Sequence, residues 1–312
     1  MFFFILSLIQ ALPSEIKIPS QNKNLKPVLV SVDHLNEKYG VYYLDADDKS
    51  VIKTFEKTTN NPLFTFKPKG IVIRPLDIEI YQNQLWVSSW PQGFYKIDTK
   101  IKKIEKKISG NESVFRFMPV ISGYWKSPDI FIGLSRYSQN SNALPSPHYL
   151  ELDMEKFVVE DQSVIKINNN PNNGTEVKGI NLYEIHGENG FNCVNVYEYG
   201  WASLCFFDTV FSYRLENNEY IAKGSRKMPD AVKNYLQFEN GEYWAISESG
   251  KKIWSGWTGF ETTPETLTVE KLSSQFNTTC GDGEFLDFSF SHYLWILTSC
   301  KEGNWIFPIK IY

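Results

Sequence analysis

The sequence predicts an all-β chain folded as a six-bladed β-propeller of four-stranded antiparallel blades. Three observations predict it. A short phrase, made of an aromatic or aliphatic pair, a small or β-branched step and then Ser or another turn-former, occurs six times. It reads VYYLDA from Val41, LWVSS from Leu85, IFIGLS from Ile130, GWASL from Gly200, YWAIS from Tyr243 and LWILTS from Leu294. Spacings of roughly 40 to 70 residues mark stacked units that bury their faces against one another. Between the phrases, alternating or β-branched and aromatic runs are broken by Gly, Asn, Asp and Pro, and long 3.6-residue periodicity is absent. Finally, the four cysteines fall as two pairs at equivalent places of two units.

The elements follow in chain order. Met1 to Ile9 is apolar but too short to cross a bilayer, and the polar stretch PSEIKIPS follows Ala11. Residues 1–11 therefore read as a secretory signal peptide, with 12–312 a single propeller domain. Blade 1 is expected from Leu25 to Pro68. Blade 2 shows the unit most clearly, as LDIEIYQ, QLWVSSW, GFYKIDT and IKKIEKKI between Leu76 and Ile108, with Pro91 and Gln92 before Gly93 supplying hairpin chemistry. Blade 3 runs from Val114 to Ile167, blade 4 from Gly190 to Lys227, blade 5 from Val232 to Leu272, and blade 6 from Glu284 to Tyr312.

Blade 6 lacks a strand, and an unpaired sheet edge is a liability. Glu15 to Pro19, EIKIP, alternates as a strand and is expected to complete blade 6 as its outermost strand. The competing phase makes EIKIP the innermost strand of blade 1. Six blades are expected rather than seven because Ser135 to Pro147 and Asn168 to Val177 read as polar insertions.

A hairpin turning at Glu198 to Gly200 sets Cys193 opposite Cys205, and one turning near Ser291 to Tyr293 brings Cys280 towards Cys300. Two disulfides are expected, as suits an exported chain. Sequons at Asn111, Asn173 and Asn277 predict glycosylation. The net charge of −4 is shallow and mixed, which gives no field for nucleic acid. Lys100, Lys102, Lys103, Lys106 and Lys107 alternate with isoleucines, as in a solvated outer strand that resists unwanted pairing. No later apolar run reaches transmembrane length.

In propellers the innermost strands line a channel, and the loops entering the first strand and joining the second to the third form one mouth. That analogy places both cystines and the long insertions at the mouth. Polar residues mapped there include Arg74, Trp90, Arg136, Tyr137, Asp208, Glu248 and Asp282, of which Trp90, Arg136, Tyr137, Asp208 and Glu248 are the candidate binding residues. Asp77, Asp230 and Glu284 approach from different blades and are the candidate oxygen ligands for a divalent cation; turn-forming and capping are the alternative roles of such acidic residues. His34, His148, His186 and His292 show no zinc-ligand spacing, and no nucleophile elbow or phosphate loop is visible. Trp86, Trp201, Trp244 and Trp295 share a phase that suits packing between blades, whereas Trp90, Trp254, Trp257 and Trp305 lie outside it and are candidates for exposed contact.

The phrase resembles that of the six-bladed propeller superfamily that includes NHL-repeat, TolB-like and gluconolactonase-type proteins, over nearly the whole mature chain. There is no WD dipeptide at blade ends, no kelch double glycine and no Asp-box. The gluconolactonase resemblance implies a channel metal held by Glu, Asn and Asp, although those motifs do not match here residue by residue. The expected function is a secreted, glycosylated, noncatalytic, monomeric binding propeller without a cofactor, recognising a protein or glycan at its mouth. A metal-dependent hydrolase is the alternative. The expected location is extracellular or in the secretory-pathway lumen.

Overall fold

The structure is a computed structural model and describes residues 13–19, 24–68, 74–81, 84–90, 93–100, 103–108, 117–127, 130–137, 146–153, 158–159, 193–197, 201–216, 219–238, 240–258 and 263–311. These residues form six four-stranded antiparallel sheets. Sheet 1 holds β2 (Lys26–Asp33), β3 (Lys38–Leu44), β4 (Ser50–Glu56) and β5 (Pro62–Phe66). Sheet 2 holds β6 (Arg74–Tyr81), β7 (Gln84–Trp90), β8 (Gly93–Asp98) and β9 (Lys103–Ile108). In sheet 3 are β10 (Phe117–Ser127), β11 (Ile130–Tyr137), β12 (Ser146–Asp153) and β13 (Val158–Val159), and in sheet 4 β14 (Cys193–Tyr197), β15 (Trp201–Phe206), β16 (Thr209–Glu216) and β17 (Glu219–Lys227). Sheet 5 holds β18 (Val232–Gln237), β19 (Glu242–Ser247), β20 (Lys252–Trp257) and β21 (Glu265–Thr268). Sheet 6 holds β22 (Glu284–Ser291), β23 (Tyr293–Cys300) and β24 (Gly303–Ile309).

The fourth strand of sheet 6 comes from the other end of the chain. β1 (Ile16–Lys17) pairs antiparallel with β24, Ile16 opposite Ile306, and Ile18 N–H extends the pairing to Asn304 O at 2.9 Å. EIKIP therefore takes the outermost place in sheet 6, not the innermost place in sheet 1. The basic segment, as β9, is the outer strand of sheet 2.

The first strands of the sheets touch in succession: β2 on β6, β6 on β10, β10 on β14, β14 on β18, β18 on β22, and β22 back on β2. The alternation of each second strand explains the stacking. In β23, Tyr293, Trp295 and Leu297 pack with Val30, Tyr39 and Val41 of sheet 1, and Leu294 and Ile296 pack with Trp244 and Ile246 of sheet 5. Sheets 1 and 2 meet through Tyr42, Ile78, Leu85 and Val87, and sheets 4 and 5 through Val210, Tyr235, Tyr243 and Trp254. Trp86 and Trp295 are wholly buried and Trp244 is nearly so, as packing between sheets requires.

Two expectations need correction. The expected blade 5 runs to Leu272, but its last strand stops at Thr268 and a helix, α1 (Val269–Gln275), follows. Thr268 caps it by accepting the Lys271 N–H, Glu270 lies in the first turn, and Val269, Leu272 and Ser273 are its buried face. Seven residues are too few to show as a periodic run. Trp254, read as a candidate for exposed contact, is buried against sheet 4.

Candidate functional site

The first strand of a sheet has one edge without a ladder partner, so its backbone groups need other partners. Side chains from the neighbouring first strand supply them. The N–H groups of Val30, Val32 and His34 donate to Asp287 Oδ2, Ser289 Oγ and Ser291 Oγ at 2.9, 2.9 and 3.0 Å. The three acceptors are two residues apart and so lie on one face of β22. Between sheets 1 and 2, Ile80 N–H donates to Ser31 Oγ at 2.9 Å, and Ser31 donates to Glu79 Oε2 at 2.9 Å.

Several first strands carry a register irregularity at the same place, between Pro27 and Leu29, Pro75 and Asp77, Val120 and Ser122, Val232 and Asn234, and Phe285 and Asp287. Asp77, Asn234 and Asp287 thus share one register position in three sheets. The bulged residues are Val28, Leu76, Ile121 and Leu286 in four sheets and Lys233 in sheet 5. Lys233 Nζ donates to Phe285 O at 2.6 Å, which ties the bulge of sheet 5 to that of sheet 6. Gly250 (φ +70°) leaves room for this contact: a Cβ there would lie 2.8 Å from Phe285 O and 3.0 Å from Lys233 Nζ.

Burial dominates the electrostatics of this interior. Asp287 is pushed up to about 7 by desolvation, against the opposing pull of the Val30 and Phe288 N–H groups, Lys233 and Asn234. Asn234 Nδ2 donates to Asp287 Oδ1 at 2.8 Å. Glu79 keeps some surface open, but its carboxyl sits deep among protein atoms and is pushed well above the usual range, first by burial and then by Asp77. Burial lowers the Lys233 ammonium. These groups are enclosed and bonded to neighbouring sheets, so the arrangement fixes strands against one another.

The rim at the other end of these contacts gathers most of the residues picked from the sequence. Val232 N–H donates to Phe207 O at 2.8 Å, and Phe285 N–H to Gly250 O at 2.7 Å. The turns between second and third strands of sheets 4 and 5 are thereby bonded to the first strand of the next sheet. This brings Asp208, Asp230, Glu248 and Glu284 to one rim. Asp208 faces Lys227 at 3.4 Å and Glu284 faces Lys251 at 3.6 Å, all well exposed. Asp230 and Glu248 are exposed, as is Phe207, which the sequence reading missed. The backbones of Trp90 and Tyr137 end the second strands of sheets 2 and 3, opposite Arg74 and Phe117, with Arg136 just before.

Both expected disulfides are present. Cys193 and Cys205 face each other in register with Cα atoms 4.8 Å apart, and Cys280 and Cys300 lie 5.3 Å apart. Gly283 allows the second bridge to pack, since a Cβ there would fall 2.7 Å from Cys280 Sγ.

Asp77, Asp230 and Glu284, the candidate oxygen ligands, each have a local partner. Asp77 Oδ1 accepts the Ile78 N–H and Asp230 Oδ1 the Ala231 N–H, both at 2.8 Å, while Glu284 faces Lys251. Among the described residues no group of three or more His, Cys, Asp or Glu side chains could hold an ion.

At the opposite end, His34 and His292 have ring centroids 6.1 Å apart, and Lys57 Nζ lies 2.8 Å from His34 Nδ1. Leu35, Phe290 and Trp257 are the exposed large apolar residues there, with Phe238 against Phe290. Asn277 is exposed just beyond α1 with φ +54°, whereas Asn111 and Asn173 lie outside the described residues, as does His186. Among the described residues no helix is long and apolar enough to cross a membrane.

No protein-family model matches the chain, and no curated protein matches it. Solved structures do match. One is a chain of the crystal structure of a mitotic checkpoint complex, at 10% identity and a TM-score of 0.50, over 94% of this chain and 77% of that one. Since 1198 solved chains match, this propeller-like all-β fold carries no functional specificity by itself.

Proposed function

We propose that the six sheets are the blades of a closed six-bladed propeller, and that the protein is a secreted, glycosylated, noncatalytic binding module. It takes an extracellular protein or glycan at the cystine-braced rim and acts as a monomer. The observation that carries this reading is the rim itself. Two disulfides hold equivalent places at one end, and the turns between them are bonded to the next sheet, so Phe207, Asp208, Asp230 and Glu248 are presented on a rigid frame. Binding residues on loops gain from such a scaffold, because little ordering is left to do on association. Cystines suit an oxidising compartment, and the exposed Asn277 suits a glycan acceptor.

The test is capture of the purified secreted protein on a panel of immobilised glycans and extracellular proteins. Phe207→Ser, Tyr137→Ala and Trp90→Ala are compared with wild type. Loss of roughly tenfold or more in affinity at unchanged Tm supports the rim, since that loss corresponds to about 1.4 kcal/mol. Full capture by all three variants would reject it. No observation favours the hydrolase reading, whose three carboxylates are used by local N–H groups and Lys251.

A further inference from the structure

Sheets 6 and 1 are built from opposite ends of the chain, and one side chain stands at the middle of their junction. Asp287 on β22 accepts from Val30 N–H on β2 and from Asn234 on β18, so a single carboxyl joins sheets 5, 6 and 1. It is 8% exposed. Carboxylates also face the interior from other sheets, Glu79 and Asp77 on β6 and Asp33 on β2, while Lys233 on β18 is the nearby cation that favours its charged form. The further charged or titratable groups on elements packed against β22 are Lys26 on β2, Tyr235 on β18, Glu242 and Tyr243 on β19, Lys252 on β20 and Tyr293 on β23.

We propose that the junction between the first and last sheets is a proton-controlled clasp, tightened as its surroundings turn acidic and loosened as they approach neutrality. A neutral Asp287 carboxyl keeps an acceptor oxygen for Val30 without leaving a charge in a dry interior, whereas the carboxylate adds a negative charge to a region already crowded with them. Opening the junction returns Asp287 to water, where it ionises near its ordinary value.

The sign follows from that difference. The closed form holds its proton up to about pH 7 and the open form releases it near 3.8, so opening is least favourable below about pH 4. It becomes easier by up to about tenfold per pH unit until the closed form ionises too, then levels off. His34 works the other way at the acid end, because burial and the neighbouring Lys57 disfavour its charged form. Its ring is partly exposed, so its effect is the smaller.

The experiment is amide hydrogen exchange on the folded protein from pH 5 to 8, corrected for intrinsic base catalysis. The Val30 and Val32 N–H groups report the junction, and Val41 N–H in β3 is the reference. The expected result is a rise in junction opening relative to Val41 of several-fold or more per pH unit up to about pH 7, with a plateau above. Asp287→Asn should cut the slope below about twofold per unit, His34→Gln should leave it or steepen it, and Ser289→Ala should raise opening by a factor independent of pH. Junction opening that is flat or falls with pH in the wild type overturns the proposal, as does a full slope in Asp287→Asn. If that variant does not fold, the wild-type profile alone decides.

Discussion

Single residues on the first strands act mostly as acceptors. Ser289 Oγ takes the Val32 N–H in a buried setting, so Ser289→Ala leaves a backbone donor unsatisfied. The expected loss is about 1–2 kcal/mol by denaturant titration with an unchanged m-value. Trp295→Ala should cost more, about 3–5 kcal/mol, because a wholly buried indole between sheets 6 and 1 is removed. Phe207→Ser should move stability by less than about 0.5 kcal/mol, as that ring is 48% exposed. The sequence marked the buried tryptophans because their phase repeats in the phrase. It did not mark Ser289, Asp287 or Lys233, whose partners lie on other sheets and depend on register across a junction that no local pattern encodes. Trp254 misled for the opposite reason: it lies off the repeated phase yet faces sheet 4 because a strand has two faces and a stacked sheet buries both.

Among the elements, the sheets were legible and the helix was not. The expected strands of blade 2 match β6 to β9 because each run ends at turn chemistry, Gly93 above all. α1 was hidden by its brevity, and by TLTV, which reads as strand through its β-branched residues until Thr268 caps the turn. β1 is the most consequential short element. Ile16 and Ile18 are both 4% exposed and lie in the core that joins sheets 6 and 1. Ile16→Asp should therefore lower stability by about 3 kcal/mol or more and raise aggregation, measured by thermal unfolding and light scattering, since β24 would present a free edge. Each cystine should contribute about 3 kcal/mol, closing spans of 12 and 20 residues. Cys280→Ser with Cys300→Ser, compared with the corresponding pair in sheet 4, checks whether the two are equivalent.

For the whole molecule, the repeat spacing revealed six units, and the missing strand revealed how the last one is completed. The candidate site was less legible. Strand order carried Asp208, Glu248 and both cystines to one rim, but sequence could not tell an acidic turn-former from a metal ligand, because both sit beside strand ends. Thermal unfolding after chelation distinguishes them: Ca²⁺, Mg²⁺, Mn²⁺ and Zn²⁺ should each leave Tm unchanged, whereas a saturable rise would show an ion held by the folded state.

The pairing of β1 with β24 also orders events in time. Val30 and Asp287 are 257 residues apart in sequence, and Ile16 waits for Ile306. A chain emerging from its N-terminal end exposes the first strand to be closed long before its mate has been synthesised. Sheets 1 to 5 have all their strands in succession and are free to form as they appear, but sheet 6 and its contact with sheet 1 stay unmade until β22 to β24 arrive. The edges of β1 and β2 are thus exposed to other chains while the intervening sheets are made, and loop-closure entropy makes that docking a slow step. Truncation of the last strand would thus trap a nearly complete molecule in its most association-prone form.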